Sequence, residues 1–402
     1  MQVSQRTIHT DICVVGAGML GLAHALEARR RGLSVVVLDR DQHAVGASVR
    51  NFGHLFFGSV ADGEPLECAE IARERWLELG RRTGIFMETA GTVVVARRED
   101  ELAVAEAFAG DPRRHARMLS AAEIGALAPL PTDDLVGGVH STEDLRVDPR
   151  GAVAGLARLL AEDPKVRLGW GAHVHEVEPG CVCADGLVVH APLIVVCPGP
   201  DYRGLPPALR PGLEPLTLCQ LQMLRVGAPA GREYRPALAT GLSMIRYPAF
   251  ASRPAAAALR SRLEIEKAEL VANGVHLLIT QLPDGDLVIG DTHTYGDTLA
   301  PFGEERLYEL LLHEAQALLG AQLEIKQRWH GIYPAIDPSV VNGENGPFHV
   351  TAPLPGVRVV QNVGGIGMTL SLGQAPGVLD ELIEDQDTSE SPTPAPGSAA
   401  RL

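Results

Sequence analysis

Three glycines near the amino terminus have the spacing that a nucleotide-binding turn requires. Gly16, Gly18 and Gly21 form G-x-G-x-x-G directly after an apolar run at 12–15. In such a turn the first glycine permits a sharp bend, the second lets a pyrophosphate approach the backbone, and the third lets the following helix pack closely. Helix amino termini also attract phosphate through unpaired N–H groups and the helix dipole. The motif predicts a dinucleotide site.

The elements that must position this turn are a strand, a helix and a second parallel strand, all within residues 10–39. The second apolar run ends at Asp39, whose carboxylate can accept hydrogen bonds from the ribose of an adenosine. The polar stretch 40–54 follows, and we interpret it as a loop that runs from the second strand toward the cofactor. It contributes further candidate cofactor contacts, which are Arg40, Ser48, Arg50 and Asn51.

Two later segments also place glycines at the ends of apolar strands. A buried strand at 192–197 ends in Pro198-Gly199-Pro200, and open α/β sheets bind ligands at such carboxyl ends. Gly199 is therefore a candidate cofactor contact. A strand at 357–361 enters the glycine segment 364–369, and we expect a helix from about residue 372 to 384.

Composition limits the possible classes of function. The chain has 402 residues, 46% of them hydrophobic and 21% charged, which is typical of a globular protein of about two domains. A net charge of −15 argues against a nucleic-acid partner or an anionic membrane surface. There is no apolar run long enough for a membrane span, no apolar signal core, and no disulfide framework among six scattered cysteines. We expect a cytoplasmic protein.

The order of elements predicts an α/β fold with two domains. A discontinuous, Rossmann-like domain that binds the cofactor is expected from 1–55, 145–210 and 325–384. An α+β substrate domain, built on a mixed or antiparallel sheet, is expected from 56–144 and 211–324. The tail at 385–402 is rich in Ser, Pro, Ala and acidic residues, and we predict that it is disordered.

Three motifs in this order resemble the FAD-dependent D-amino-acid oxidase superfamily, which includes glycine oxidase and sarcosine oxidase. They are the first glycine motif with Asp39, the segment VDPR at 147–150 with the strand that ends at 197–199, and GGIGMTLS at 364–371. The resemblance covers nearly the whole chain except the tail. It implies an extended FAD, with 50–54 on one side of the flavin. On the other side it implies Gly364, Gly365, Gly367, Met368 and Thr369.

A closer resemblance concerns one branch of this superfamily. GASVRNFGHL at 46–55, RWHGIYPAIDP at 328–338 and the stretch 276–297 are similar to a branch proposed to oxidise aminophosphonates, the relatives of 2-aminoethylphosphonate. The resemblance implies oxidation of the C–N bond of a small anionic amine, by hydride transfer to flavin N5 and hydrolysis of the imine. The alternatives are a glycine, sarcosine or D-amino-acid oxidase, a 2-hydroxy-acid dehydrogenase and a non-catalytic flavoprotein subunit.

The chain departs from some members of the superfamily at two kinds of residue. Covalent flavin in some sarcosine oxidases uses a cysteine near the carboxyl-terminal motif, but no cysteine follows Cys219, so the resemblance implies non-covalent FAD. Some relatives use a lysine beside the flavin to activate oxygen. The three lysines of this chain match none of the motifs, so the electron acceptor can be O2 or another molecule, although we favour an oxidase.

Candidate residues for the substrate are a cation, a phenol and two histidines. Arg246 and Tyr247 lie in an irregular stretch suited to a pocket, and an arginine fork matches anionic oxygens well. His54 ends the loop expected beside the flavin, and His330 lies before the last strand; either can act on the ammonium of a substrate. We expect weaker candidates in the strand residues His276, His293 and Tyr295.

A metal site and a hydrolase are not favoured by the sequence. His173, His175, Cys181 and Cys183 form H-x-H and C-x-C pairs around a predicted hairpin. Zinc sites commonly use C-x₂₋₄-C spacing instead, so we predict no metal. No serine lies in the G-x-S-x-G turn of a hydrolase nucleophile.

Overall fold

The computed structural model describes residues 6–336 and 346–390. The strands are β1 (Arg6–His9), β2 (Ile12–Val15), β3 (Val35–Asp39), β4 (His54–Leu55), β5 (Met87–Glu88), β6 (Thr92–Ala96), β7 (Ala116–Leu119), β8 (Gly137–Ser141), β9 (Leu145–Val147), β10 (Val166–Trp170), β11 (Val174–Glu178), β12 (Cys181–Ala184), β13 (Leu187–His190), β14 (Leu193–Val196), β15 (Leu216–Val226), β16 (Ala237–Ala239), β17 (Leu278–Gln281), β18 (Leu287–Gly290), β19 (Thr294–Gly296), β20 (Ile325–Ile336), β21 (Phe348–Leu354) and β22 (Val357–Asn362). The α-helices are α1 (Met19–Arg30), α2 (Glu64–Thr83), α3 (Glu99–Ala109), α4 (Ala121–Leu127), α5 (Pro149–Ala161), α6 (Gly241–Met244), α7 (Pro248–Ala251), α8 (Ala256–Glu266), α9 (Ala268–Ala272), α10 (Glu305–Leu319) and α11 (Gly367–Glu390).

A six-stranded sheet contains the predicted nucleotide-binding strands. Its order is β10-β3-β2-β14-β22-β21, and every pair is parallel except β21 with β22. β2 and β14 are short apolar runs because both faces of a central parallel strand are covered. On one face α1 packs against α11, and α11 packs against α2. The predicted α/β fold with a Rossmann-like sheet is confirmed.

A nine-stranded mixed sheet forms the second layer of the molecule. Its path is β19-β15-β18-β17-β16-β6-β8-β7, and β20 pairs with the free side of β15. This pairing differs from one predicted boundary, because the sequence predicts 325–336 in the cofactor domain. β20 instead runs antiparallel to β15 along almost its whole length, from Leu216 opposite Ile336 to Val226 opposite Ile325. The sequence of a strand does not reveal its partner, so a strand next to a cofactor segment was assigned to that segment's domain.

The last helix is longer than predicted at both ends. It begins at Gly367, where Leu370 N donates to Ile366 O over 3.0 Å, and it continues to Glu390. The predicted disordered tail therefore starts too early, since Asp385 lies in this helix and forms an ion pair with Arg358 of β22. Residues 391–402 of the predicted tail lie outside the described residues. Among the described helices, none combines the length and the apolar composition needed to cross a bilayer.

Candidate active site

The amino-terminal glycine turn leaves no space for side chains. Gly16 has φ +100°, and a Cβ there would lie 2.3 Å from the carbonyl oxygen of Cys197, at the end of β14. A Cβ on Gly21 would lie 1.8 Å from the carbonyl oxygen of Gly16. Because these glycines lack a Cβ, α1 can pack closely against β2, and its amino end lies at the carboxyl edge of the parallel sheet, as a dinucleotide site requires.

Two predicted cofactor residues lie at this turn and contact its backbone. Ala17 N donates to Asp39 Oδ2 over 2.6 Å, and Met19 N donates to Ser48 Oγ over 2.8 Å. Asp39 ends β3, whereas Ser48 comes from the loop that follows. The structure therefore brings Asp39 and Ser48 to the amino end of α1, on two sides of the glycine turn.

Arg40 and Gly199 lie at the same edge of the sheet. Arg40 is exposed and forms an ion pair with Asp201. The carbonyl oxygen of Gly199 accepts a hydrogen bond of 3.0 Å from Nε2 of the buried Gln361, on β22. Contacts between the segments at the ends of β3, β14 and β22 thus connect the three strands at this edge.

The loop 46–54 contacts both the amino end of α1 and the nine-stranded sheet. Asn51 Nδ2 donates to the carbonyl oxygens of Ala47 and Ser48 over 3.0 and 2.9 Å, so this side chain shapes the loop itself. The backbone of Arg50 accepts a bond of 3.1 Å from Trp329 Nε1, on β20. Of the two predicted cofactor contacts, the side-chain amide of Asn51 therefore donates its hydrogen bonds within the loop. The backbone of Arg50 is hydrogen-bonded to the nine-stranded sheet.

The carboxyl-terminal glycine segment faces β20. A Cβ on Gly365 would lie 3.0 Å from the ring and the hydroxyl oxygen of Tyr333. Met368 and Thr369 lie in the first turn of α11, and Met368 O accepts a bond of 3.3 Å from the buried Trp76. Beside the segment, both polar side-chain atoms of buried Asn362 lack a partner among the described residues. The segment therefore offers a tight backbone surface with an unsatisfied amide.

Arg246 provides a cation close to this surface. Its Nη2 donates to Tyr295 Oη over 3.3 Å, and no described carboxylate forms a salt bridge with it. Burial opposes its charge, but Tyr333, Tyr295 and Asp291 outweigh this effect and raise the pKa of Arg246 above its ordinary value. A cation that is largely removed from water without a bound anion is costly, so this position suits an anionic ligand.

Tyr247 and His54 belong to a row of packed rings that lies behind Arg246. The row, called here the ring row, runs through His54, Phe56, Tyr247, His276, His293 and Tyr295, with neighbouring centroids 4.8 to 6.3 Å apart. Burial raises the pKa of the Tyr247 phenol. Tyr247 therefore packs within the row as a neutral ring.

His54 is a poor candidate for a base at neutral pH. Its Nε2 lies 2.7 Å from Thr92 Oγ1, and its ring stacks on Phe56. Burial, followed by the charges of Arg146 and His276, lowers the pKa of His54 to about 3. The imidazole is neutral through the physiological range, at the end of the ring row far from Tyr295.

His330 is not brought together with Arg246. In the register of β15 with β20, Tyr333 lies opposite Cys219 and His330 lies opposite Gln222. Residues an odd number apart in a strand face opposite sides, so His330 lies on the other face of the sheet from Tyr333. There Nδ1 contacts Gln220 Nε2 at 3.3 Å, and burial, followed by Arg50, lowers the pKa of His330.

The sequence did not single out two residues that the structure places here. Tyr333 lies inside the motif at 328–338, but only the pairing of β20 with β15 shows that it faces the glycine segment. Asp291 directly follows β18, and its Oδ1 lies 2.9 Å from His276 Nε2. The sequence does indicate two residues near Asp291. His293 and Tyr295 are two positions apart, a spacing that places both rings on one face of a strand.

Comparison with known proteins assigns the chain to a family. Residues 11–375 match the sequence profile of the family described as DAO, FAD dependent oxidoreductase. Gamma-glutamylputrescine oxidoreductase of Escherichia coli (strain K12) is 33% identical over 88 residues. That match covers 22% of this chain and 20% of the relative, so it spans about a fifth of each protein.

Two solved structures share the fold at low sequence identity. L-proline dehydrogenase from P. horikoshii superposes with a TM-score of 0.75 at 14% identity, over 94% of each chain. Glycine oxidase from Bacillus cereus superposes with a TM-score of 0.72 at 18% identity, over 93% of this chain and 95% of that one. These likenesses establish that the whole described architecture is shared.

Proposed function

Because the chain belongs to the DAO family of FAD-dependent oxidoreductases, we propose that it oxidises the C–N bond of a small amine carrying an anionic group. The observation that carries this proposal is the cation Arg246, which lacks a carboxylate partner among the described residues and lies beside Tyr295 and Tyr333. Tyr333 in turn contacts the glycine segment at Gly365. An anion bound at Arg246 would hold the rest of a small molecule against that segment.

The residues of the chain fit FAD at two places. At one end, the closed turn around Gly16 and the amino end of α1 suit a pyrophosphate, and Asp39 suits a ribose. At the other end, Asn362 has an unpaired amide beside the backbone of the glycine segment. A flavin ring has donors and acceptors along its edge that can satisfy such an amide. We propose that Gly364 to Thr369 hold this ring.

The proposed reaction balances as a two-electron oxidation. The neutral amine R–CH₂–NH₂ loses a hydride from its α-carbon, and this leaves the iminium R–CH=NH₂⁺. Water then converts the iminium to an aldehyde and an ammonium ion. FAD, when bound, supplies the acceptor for the hydride and passes two electrons on to O2 or another acceptor.

The chain's own residues would bind and orient the substrate. The guanidinium of Arg246 and the hydroxyl of Tyr295 can donate to anionic oxygens, and such charge-assisted bonds fix direction as well as position. Tyr333 covers the side toward the glycine segment and limits the space for water. Holding the α-carbon at a fixed distance from the reacting ring converts the transfer into an intramolecular step.

We place an aminophosphonate related to 2-aminoethylphosphonate first among the substrates, on the similarity of the motifs at 46–55, 276–297 and 328–338. An amino acid such as glycine, sarcosine or a D-amino acid is the alternative. It is supported by the names of the solved relatives, a glycine oxidase and an L-proline dehydrogenase. Both classes fit the site, because a carboxylate and a phosphonate both suit an arginine fork.

Anaerobic bleaching of the bound flavin tests the proposal directly. The purified holoenzyme is mixed with 2-aminoethylphosphonate, its N-methyl and 1-hydroxy forms, glycine, sarcosine, D-alanine and lactate. Bleaching by aminophosphonates alone supports the preferred substrate, whereas bleaching by glycine or sarcosine moves the assignment to the amino acids. Bleaching by lactate alone, or by none of these compounds, would contradict oxidation of an anionic amine. Rapid recovery of colour in air would identify an oxidase.

A further inference from the structure

A cluster of three buried ionisable residues, His276, Asp291 and His293, adjoins Arg246. Asp291 lies between two histidines, at 2.9 Å from His276 Nε2 and 3.9 Å from His293 Nδ1. The two imidazole rings stack with their centroids 5.0 Å apart. His293 is the nearer of the two to the anion position, because its other face stacks on Tyr295.

The hydrogen bonds of His293 define its tautomer. Nδ1 lies 2.9 Å from the carbonyl oxygen of Gly274, and a carbonyl can only accept, so Nδ1 carries the hydrogen. In the neutral ring the lone pair is therefore on Nε2. Among the described residues Nε2 has no hydrogen-bond partner. The bond from Nδ1 to Gly274 O fixes the ring, so Nε2 is an oriented hydrogen-bond acceptor to which no described group donates.

The charges around His293 oppose each other. Burial and the cation of Arg246 hold the pKa of His293 well below its ordinary value, while Asp291 acts in the opposite direction. The other groups that face the ring are His276, whose ring stacks on it, and the phenol of Tyr295. Burial, together with the cation of Arg246, thus keeps His293 neutral in the free enzyme.

We propose that an anionic substrate, by binding to Arg246, converts His293 into the acceptor of the proton from the substrate's own ammonium group. The inference rests on the proposed function and adds a base to it. The anion offsets the charge of Arg246, and Asp291 then favours a proton on the imidazole. An amine without an anion adds no negative charge beside Arg246, and His293 stays neutral. The site selects anionic amines by this coupling as well as by binding.

The proton transfer is balanced. The substrate enters as R–NH₃⁺, its N–H bond breaks, and the proton forms a new bond to Nε2 of His293. The products are the neutral amine, which can release a hydride, and an imidazolium that keeps its Nδ1–H bond to Gly274. Asp291 is a positioning residue for this step because it stabilises the imidazolium without touching the substrate.

A bound metal ion is the other role that this cluster suggests, since ligand atoms of His276, Asp291 and His293 lie within 4.8 Å of one another. Two observations disfavour it. Nδ1 of His293, the nitrogen nearer to Asp291, already donates to Gly274 O. Arg246 also places a positive charge beside the cluster. Metal analysis of the holoenzyme separates the two roles, and one equivalent of a transition metal bound through His293 would overturn ours.

A binding experiment tests the coupling without turnover. Histidine-labelled holoenzyme is titrated by NMR, and the His293 signal is assigned from its absence in His293→Asn. Saturating methylphosphonate or acetate, neither of which can be oxidised at a C–N bond, is expected to raise the pH midpoint of His293 by about one unit or more. In Arg246→Ala without any anion, the midpoint should be higher than in the anion-free wild type, because one of the two effects that lower it is removed. A midpoint unmoved by a bound anion would overturn the proposal.

Kinetics test the catalytic step. In His293→Asn the new amide can still donate to Gly274 O, but the acceptor at Nε2 is gone. At neutral pH, kcat/KM for the best anionic amine should fall by about 10²-fold or more, since general bases typically contribute 10²–10⁴-fold. The deficit should close as the pH approaches the pKa of the substrate amine, because solvent then supplies the neutral form. An equal loss at every pH, or no loss, would overturn the assignment.

The controls separate this inference from the proposed function. His313→Asn changes an exposed histidine on α10 and should behave as wild type. Flavin absorbance confirms that each variant holds its cofactor. If no amine bleaches the wild type, the proposed function fails, while the NMR experiment still decides whether an anion on Arg246 controls His293. If amines bleach the wild type and the midpoint does not move, only the inference fails.

Discussion

At the scale of single residues, the proposed chemistry depends on Arg246, a cation without a salt bridge to any described carboxylate. Arg246 donates to the phenol of Tyr295 and interacts electrostatically with Tyr333, and burial raises the pKa of both phenols, so neither is charged near neutral pH. The sequence offers Arg246 as a candidate because it lies in a stretch predicted to be irregular, with aromatic and basic residues, and an arginine fork suits an anion; its role stays a prediction. The phenol beside the glycine segment could not be predicted, since Tyr333 reaches Gly365 only through the pairing of β20 with β15.

Replacing Arg246 tests this role at the same scale. In Arg246→Ala, kcat/KM for an anionic amine should fall by about 10- to 150-fold, because a hydrogen bond to a charged group contributes about 1.5–3 kcal/mol. The loss should appear mainly in KM, as steady-state kinetics would show. Arg246→Lys keeps the positive charge but loses the forked guanidinium, so its kcat/KM should lie between those of the wild type and of Arg246→Ala. Kinetics unchanged within about twofold would remove Arg246 from the site.

At the scale of elements, the proposed cofactor site depends on close packing of backbone segments, with Gly16 against Cys197 and Gly21 against Gly16. The strand, turn and helix around Gly16 and Gly21 could be predicted in detail because each glycine has a local steric reason. The start of α11 could not, because a segment with glycines at 364, 365 and 367 favours a loop by local propensity. Packing of α11 against α1 and α2 overrides that preference.

Gly18→Val tests the element that binds phosphate. A Cβ at Gly18 would lie 3.0 Å from Ser48 Oγ, and the branched side chain would fill the space above the amino end of α1. We expect the variant to be purified without FAD, as measured by its absorbance and by release of flavin on denaturation. Gly46→Val is the matched control, because a Cβ there meets no atom within 4 Å. A yellow, fully loaded Gly18→Val protein would refute the site.

At the scale of the whole molecule, burial changes the pKa of several ionisable groups. These changes make the free energy of unfolding depend on pH. Burial lowers the pKa of His24 to about 4 and that of His54 to about 3, and it keeps His293 neutral. Burial also raises the pKa of Asp144 to about 6. Below about pH 6.5 the unfolded histidines take up protons that the folded ones refuse, so acid favours unfolding. Asp144 acts in the opposite direction, since between about pH 4 and 6 the folded state holds its proton more tightly.

The pKa is lowered in five histidines, His24, His54, His140, His293 and His330, and raised in one carboxyl, Asp144, which leaves a net excess of protons on the unfolded chain. The free energy of unfolding should therefore fall as the pH drops from about 6.5 to 4.5, by about 1.4 kcal/mol per pH unit for each net proton. Denaturant titrations of the holoenzyme across this range measure the slope. His24→Asn should make it shallower by one proton and Asp144→Asn should make it steeper, because each variant removes one of the opposing groups. A slope that is the same in both variants would show that these buried groups do not govern acid stability.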